Sequence, residues 1–144
     1  MALSKRKRGD APGCERSYRE AIRSDPNDAD AHYNLGCELF ERNDFEGAEE
    51  SYRAATGADP TAANAHHRLG CLLAKRGDGV GAEESFRDAC RCDPKHAGAR
   101  TGLGLLLMAR GEEEEAVESY DAAIRADPQC APAHVAVGIL LKKV

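Results

Sequence analysis

The sequence predicts an all-α fold of helix–turn–helix units repeated every 34 residues, and three observations carry that prediction. Asp-Pro recurs at Asp25-Pro26, Asp59-Pro60, Asp93-Pro94 and Asp127-Pro128, each 34 residues after the last. Further columns keep the same register: Leu35, Leu69, Leu103 and Val137; Gly36, Gly70, Gly104 and Gly138; Leu39, Leu73, Leu107 and Leu141; Tyr18, Tyr52, Phe86 and Tyr120; Ala21, Ala55, Ala89 and Ala123. Within each period the apolar residues fall three and four apart, the spacing of one helix face. Ala, Glu, Arg, Leu and Gly abound and Trp is absent, which favours closely packed helices over strands.

Residues 1–28 are expected to form a half repeat, the second helix of a unit, with Tyr18 and Ala21 in the columns of Tyr52 and Ala55. The segment opens with four basic residues, Lys5 to Arg8. Part of that run belongs to the repeat: "KRGD" at Lys7–Asp10 falls on "KRGD" at Lys75–Asp78 two periods later. Arg8, Arg42, Arg76 and Arg110 thus form one column, placed near a helix C-terminus where cations are favoured. Lys5 and Arg6 have no such role and leave a nuclear address open as an alternative.

Residues 29–62, 63–96 and 97–130 are three full repeats, and 131–144 a closing half repeat, all in one domain of 144 residues. In the first full repeat, His32, Leu35, Gly36 and Leu39 make one face of a first helix. A turn follows at Asn43-Asp44, equivalent to Gly77-Asp78 and Gly111-Glu112, where Asn and Gly suit a left-handed C-cap. The second helix, from about Glu46 to Gly57, buries Ala48, Tyr52 and Ala55. Pro60 ends it. Gly36 and Ala48 allow the two axes to approach closely, and Tyr52 is expected to reach over the crossing.

A unit of this length with Leu35-Gly36, Ala48, Tyr52, Ala55 and Asp59-Pro60 resembles the tetratricopeptide repeat, and the resemblance covers nearly the whole chain. It implies a right-handed α-solenoid of about eight helices whose first helices line a concave face. There are departures. His32, His66, Arg100 and His134 stand where the family often has Trp. Glu15, Glu49 and Glu83 replace a commonly apolar residue, and Ala58 and Ala126 a large one, which implies a thinner core between repeats.

By that resemblance the groove residues are Tyr33, Asn34, Cys37 and Phe40 with Asp30 and Glu41, then Asn64, His67, Arg68, Cys71 and Lys75. Thr101, Leu105 and Met108 follow with Gly98 and Gly102, then Val135 and Ile139 with Ala136. The lining changes from polar and charged to small and apolar, suited to a peptide or helix with one polar and one apolar end. A family clamp for the acidic tail of heat-shock chaperones is matched only at Asn34 and Arg68. Asn64 and Leu3 stand where Lys and Asn are expected, so that use is not anticipated.

The tempting chemical motifs take structural roles in the repeat. "GDGVG" at Gly77–Gly81 follows a helix, whereas a phosphate-cradling loop follows a strand, so an inter-helix turn is expected. His32, His66 and His134 lie on successive repeats, too far apart for one metal ion, and His66 and His67 point in different directions. Cys37 and Cys71 share a column, Cys14 stands among small residues, and Cys90 and Cys92 are separated by about 200° around a helix. Small apolar filling is the expected role of these thiols. "EEEE" at Glu112–Glu115 falls on the first turn of a second helix, where carboxylates complement the dipole. No nucleophile–base arrangement emerges, and neither a cofactor nor a metal is expected.

The net charge of -5 gives no general attraction for nucleic acid. Base-reading positions do not recur either: Asn34, Arg68, Gly102 and Ala136 differ in every repeat. "GLGLLLMA" at Gly102–Ala109 is far short of a membrane span, and no apolar stretch follows the basic start as in a secretory signal. A cytoplasmic location with reduced cysteines is expected. The chain is therefore read as a non-enzymatic scaffold binding a peptide or helix of a partner protein. Alternatives are a module of a larger multidomain protein or enzyme, or head-to-tail self-association through residues 1–28 and 131–144, which read as complementary halves.

Overall fold

A computed structural model describes residues 11–129, with side chains from Glu15 onward. Seven helices follow one another among the described residues: α1 (Ala11–Ser24), α2 (Ala29–Glu41), α3 (Phe45–Ala58), α4 (Ala63–Lys75), α5 (Gly79–Cys92), α6 (Ala97–Ala109) and α7 (Glu113–Ala126). No strand is present among them. The basic run Lys5–Arg8 and the half repeat 131–144, with His134, Val135, Ile139 and the joining surface it was expected to offer, lie outside the described residues. The chain divides into two compact units between Ala65 and His66, within α4.

The turns show why the period is so exact. Asn43, Gly77 and Gly111 have φ of 65°, 88° and 80°, the left-handed conformation expected between the two helices of each repeat. Asp44 and Asp78 then cap α3 and α5, their carboxylates accepting the amides of Gly47 and Gly81. "GDGVG" is accordingly an inter-helix turn followed by the first turn of α5.

The Asp of each Asp-Pro has its own task. Asp25, Asp59, Asp93 and Asp127 each accept through Oδ1 the amide two residues on, at 3.0–3.1 Å. An Asx-type turn thus closes the second helix while the proline blocks its continuation.

In the first unit the core is Tyr18, Ala31, Leu35, Leu39, Ala48, Tyr52, Ala55 and Ala65; in the second it is Leu69, Leu72, Leu73, Ala82, Phe86, Ala89, Cys90, Ala99, Leu103, Leu107, Ala116, Tyr120 and Ala123. The close crossing expected of the small columns is present in both. A Cβ on Gly36 would lie 2.7 Å from Tyr52 Cε1, and one on Gly70 2.8 Å from Phe86 Cδ1. A ring on the second helix covers the bare backbone of the first.

Two unusual columns prove to be partners. Glu15 of α1 bonds Arg19 and reaches Arg42 at the end of α2, while Glu83 of α5 bonds Arg87 and reaches Arg110 at the end of α6. Hydrogen bonds from Arg87, then Arg110, hold the Glu83 carboxyl below the usual carboxylate range against the opposing effect of burial. Arg42 and Arg110 therefore do more than complement a helix dipole: each ties a first helix to the second helix before it. The glutamate that departs from an apolar norm in sequence is one half of that tie.

The "EEEE" run behaves partly as expected. Glu113, Glu114 and Glu115 occupy the first turn of α7, but Glu112 at the N-cap makes no side-chain cap and instead accepts from Arg110 at 3.1 Å. Glu115 lies 3.5 Å from Arg87.

Candidate functional site on the first helices

In the first unit the expected groove residues Tyr33, Asn34, Cys37 and Phe40 are all half-buried on α2, with Asp30 and Glu41 exposed beside them. Tyr33 tilts against Tyr52 with ring centroids 6.1 Å apart, and Phe40 meets Phe45 edge-on at 5.5 Å across the α2–α3 turn. Tyr52 O–H donates to Cys37 Sγ at 3.5 Å. Cys37 is thus a hydrogen-bond acceptor for the central ring of its repeat as well as a small filler. Asn64, at the start of α4, is exposed.

In the second unit Arg68 and Lys75 are exposed, and His67 and Cys71 are half-buried one turn apart on α4. Their side chains meet, with Cys71 Sγ 3.4 Å from His67 Nε2. The His67 ring lies 5.9 Å from Phe86 and 4.8 Å from His96, centroid to centroid. His96 is the N-cap of α6, its Nδ1 accepting the amide of Ala99 at 3.1 Å, which places the proton of its neutral ring on Nε2. Sequence reading missed His96 because capping by histidine is uncommon and its column otherwise holds Asp28, Ala62 and Cys130.

Along α6 the expected residues separate. Leu105 is 57 % exposed, Met108 is half-buried, and Thr101 is only 8 % exposed. Thr101 shares the column of Tyr33 and His67, but its short side chain does not extend past its neighbours, so it offers little surface to a partner. Gly98 and Gly102 carry no side chain for a specific reason. A Cβ on Gly102 would stand 2.6 Å from Phe86 Cζ, and one on Gly98 3.0 Å from His67 Cε1. Phe86 and His67 occupy the space those side chains would need. Val135 and Ile139 belong to the undescribed residues.

The central ring and the groove column vary together. Tyr52 faces Cys37 and bonds it; Phe86 has no hydroxyl, and Cys71 turns to His67 instead; Tyr120 has Leu105 in the corresponding position. The Tyr120 hydroxyl is buried with no hydrogen-bond partner among the described residues, and burial raises its pKa. Tyr120→Phe is therefore expected to raise stability by about 1 kcal/mol, because an unsatisfied buried hydroxyl is costly. Tyr52→Phe, which breaks a bond, should lower it, and urea melts of the two variants measure the difference.

Burial, with His96 and Arg68 adding to it, lowers the His67 pKa to about 4 from its ordinary 6.5. The unfolded chain therefore binds the proton first, so this group's contribution is full above pH 6.5 and is lost as pH falls toward 4. Melts at pH 7 and pH 5 should show a loss that His67→Gln reduces. An equal loss in both proteins would place the titration elsewhere. Burial also pushes the Cys71 and Cys90 thiols up, against the pull of nearby arginines. Cys90 is buried and Cys92 exposed, pointing apart as their spacing requires. Among the described residues no group of three or more His, Cys, Asp or Glu side chains is placed to hold a metal ion, and no helix is long and apolar enough to cross a membrane.

His32 and His66 have partners within the protein. His32 Nε2 donates to the Pro26 carbonyl at 2.8 Å, and His66 Nδ1 stands 4.0 Å from Asp88. Arg100, in the same column, directs Nε to the Pro94 carbonyl at 3.4 Å. At His32 and Arg100 the position that often holds Trp serves the Asp-Pro turn.

The tetratricopeptide repeat profile matches this chain three times, over residues 1–63, 33–97 and 67–131. The chain belongs to the tetratricopeptide repeat family. Successive matches are offset by the 34 residues of the Asp-Pro period. Among solved structures, the crystal structure of MamA aligns over 99 % of this chain and 84 % of its own, at 26 % identity and a TM-score of 0.87. A second MamA structure aligns over 96 % and 76 % at 27 % identity, TM-score 0.84. The TPR domain of Arabidopsis OM64 covers 81 % of this chain and 96 % of its own at 19 % identity and TM-score 0.76, a likeness of fold alone. No curated protein matches the sequence.

Proposed function

We propose that the chain is a non-enzymatic scaffold that binds a segment of a partner protein on the faces of its first helices. The observation that carries this is Leu105, a large apolar side chain 57 % exposed on α6. Isolated exposed leucines need no explanation, but this one stands in the groove column of Cys37 and Cys71, where the family places its ligands. The first unit offers Tyr33, Asn34 and Asp30 for polar contacts, and the second offers Arg68 and Lys75 on α4 and Leu105 and Met108 on α6. A peptide carrying an acidic group and an apolar side chain is the fitting ligand class.

Peptides selected from a random display library on the wild-type protein test this. Their affinity is expected to fall at least tenfold with Leu105→Glu or Arg68→Glu and to be unchanged with Arg91→Glu, which changes an exposed residue of a second helix. Retained affinity in both groove variants, with loss in Arg91→Glu, would move the binding surface to the second helices.

A further inference from the structure

We propose that the second unit carries an anion site, separate from the groove, in a cleft of about 350 Å³ lined by Pro94, Lys95, Arg100, Ala122, Arg125 and Ala126, and that it takes a phosphate dianion. Three of the six lining residues are cationic and none is acidic. The cleft lies between the Asp-Pro turn before α6 and the last turns of α7. Arg100 is oriented by the bond from its Nε to the Pro94 carbonyl, which leaves the Nη groups of a planar fork suited to phosphate oxygens. Among the described residues, neither Lys95 Nζ nor the Arg125 guanidinium is paired with a carboxylate. The acids nearest in sequence, Asp93 and Asp127, spend an oxygen on the amides of Lys95 and Gln129 in their own turns.

The repeat does not require this set of charges. Two periods earlier the same three positions are Asn27, His32 and Gly57; one period earlier they are Thr61, His66 and Arg91. Residues demanded by the fold recur in every repeat, as the glycine and Asp-Pro columns do. Three cations meeting at one turn of a chain with net charge -5 do not follow from that pattern. The corresponding cleft of the first unit, at His32 and Ala54, differs in its charge balance: Arg19 and Arg23 line it together with Glu50, and Arg19 is bonded to Glu15. Three positive groups around one small cleft match a dianion better than a single carboxylate.

A titration of the isotope-labelled protein with inorganic phosphate, at pH 7.5 and ionic strength held constant with chloride, reads the site directly. Saturable shifts are expected at the amides of Lys95, Arg100 and Arg125. Lys95→Gln combined with Arg125→Gln should weaken binding at least tenfold, whereas Arg16→Gln with Arg53→Gln, which removes the same charge elsewhere, should leave it unchanged. A phosphoserine peptide binding more tightly than inorganic phosphate would assign the site to a phosphorylated segment, and equal affinity would assign it to the free ion. Shifts that do not saturate, equal weakening in the charge-matched control, or acetate binding as tightly as phosphate would each overturn the site.

Discussion

Phe86→Ala is expected to lower stability by about 3–5 kcal/mol, the range for truncating a buried aromatic side chain. The ring is 2 % exposed and serves two first helices at once. Its Cδ1 edge covers Gly70 of α4, its Cζ end covers Gly102 of α6, and His67 lies beside it with centroids 5.9 Å apart. Removing it opens a cavity walled in part by two glycines, which have no side chain to lean in. The groove face should suffer too, because His67 loses the ring that holds it. Urea melts followed by circular dichroism give the magnitude. A double-mutant cycle tests the cause: Gly102→Ala alone should destabilise, since its Cβ would press on the ring, yet be tolerated once Phe86 is alanine. A loss below 1 kcal/mol, or strict additivity with Gly102→Ala, would show that the ring does not bridge the two helices.

The difference between Phe86 and its column-mates shows where sequence reading succeeds. Positions that recur are positions the repeat requires, so the period disclosed the helices, the left-handed turn residues and the ring-over-glycine crossing. It disclosed them closely: the second helix expected from about Glu46 to Gly57 runs from Phe45 to Ala58. Contacts that join two columns were harder to see. Glu15 with Arg42 and Glu83 with Arg110 are 27 residues apart, so each column looked like a separate departure until the helices were placed. One period after Glu83 and Arg110, Val117 and Val144 stand at the corresponding two positions, an exchange of both members that could have flagged the pairing. The site was least legible because it consists of exceptions. Gly98 and Gly102 interrupt columns that otherwise hold Asp30 and Asn64, and Asn34 and Arg68. Only the coordinates show that Phe86 and His67 fill the vacated space.

Gly104→Leu is the second large effect, expected to cost about 1–3 kcal/mol through overpacking. A Cβ at this position would lie 2.6 Å from Tyr120 Cε1, 2.8 Å from Cδ1 and 2.9 Å from Cζ. The ring is fully buried, so it cannot swing into solvent to make room. Backbone strain is not the cause, because only Gly77 and Gly111 among the described glycines have positive φ. Replacing a helical glycine otherwise helps, by roughly 0.5–1 kcal/mol, since a side chain restricts the unfolded backbone. Gly57 isolates that gain: no atom lies within 4 Å of a Cβ built there, so Gly57→Ala should stabilise. The two substitutions must therefore move the melt in opposite directions. If Gly104→Leu destabilises because of the ring, Tyr120→Leu should recover part of the loss in the double variant. Melts in which Gly104→Leu matches wild type would mean that α6 and α7 can separate without cost, and the close crossing would then not be what holds the repeat together.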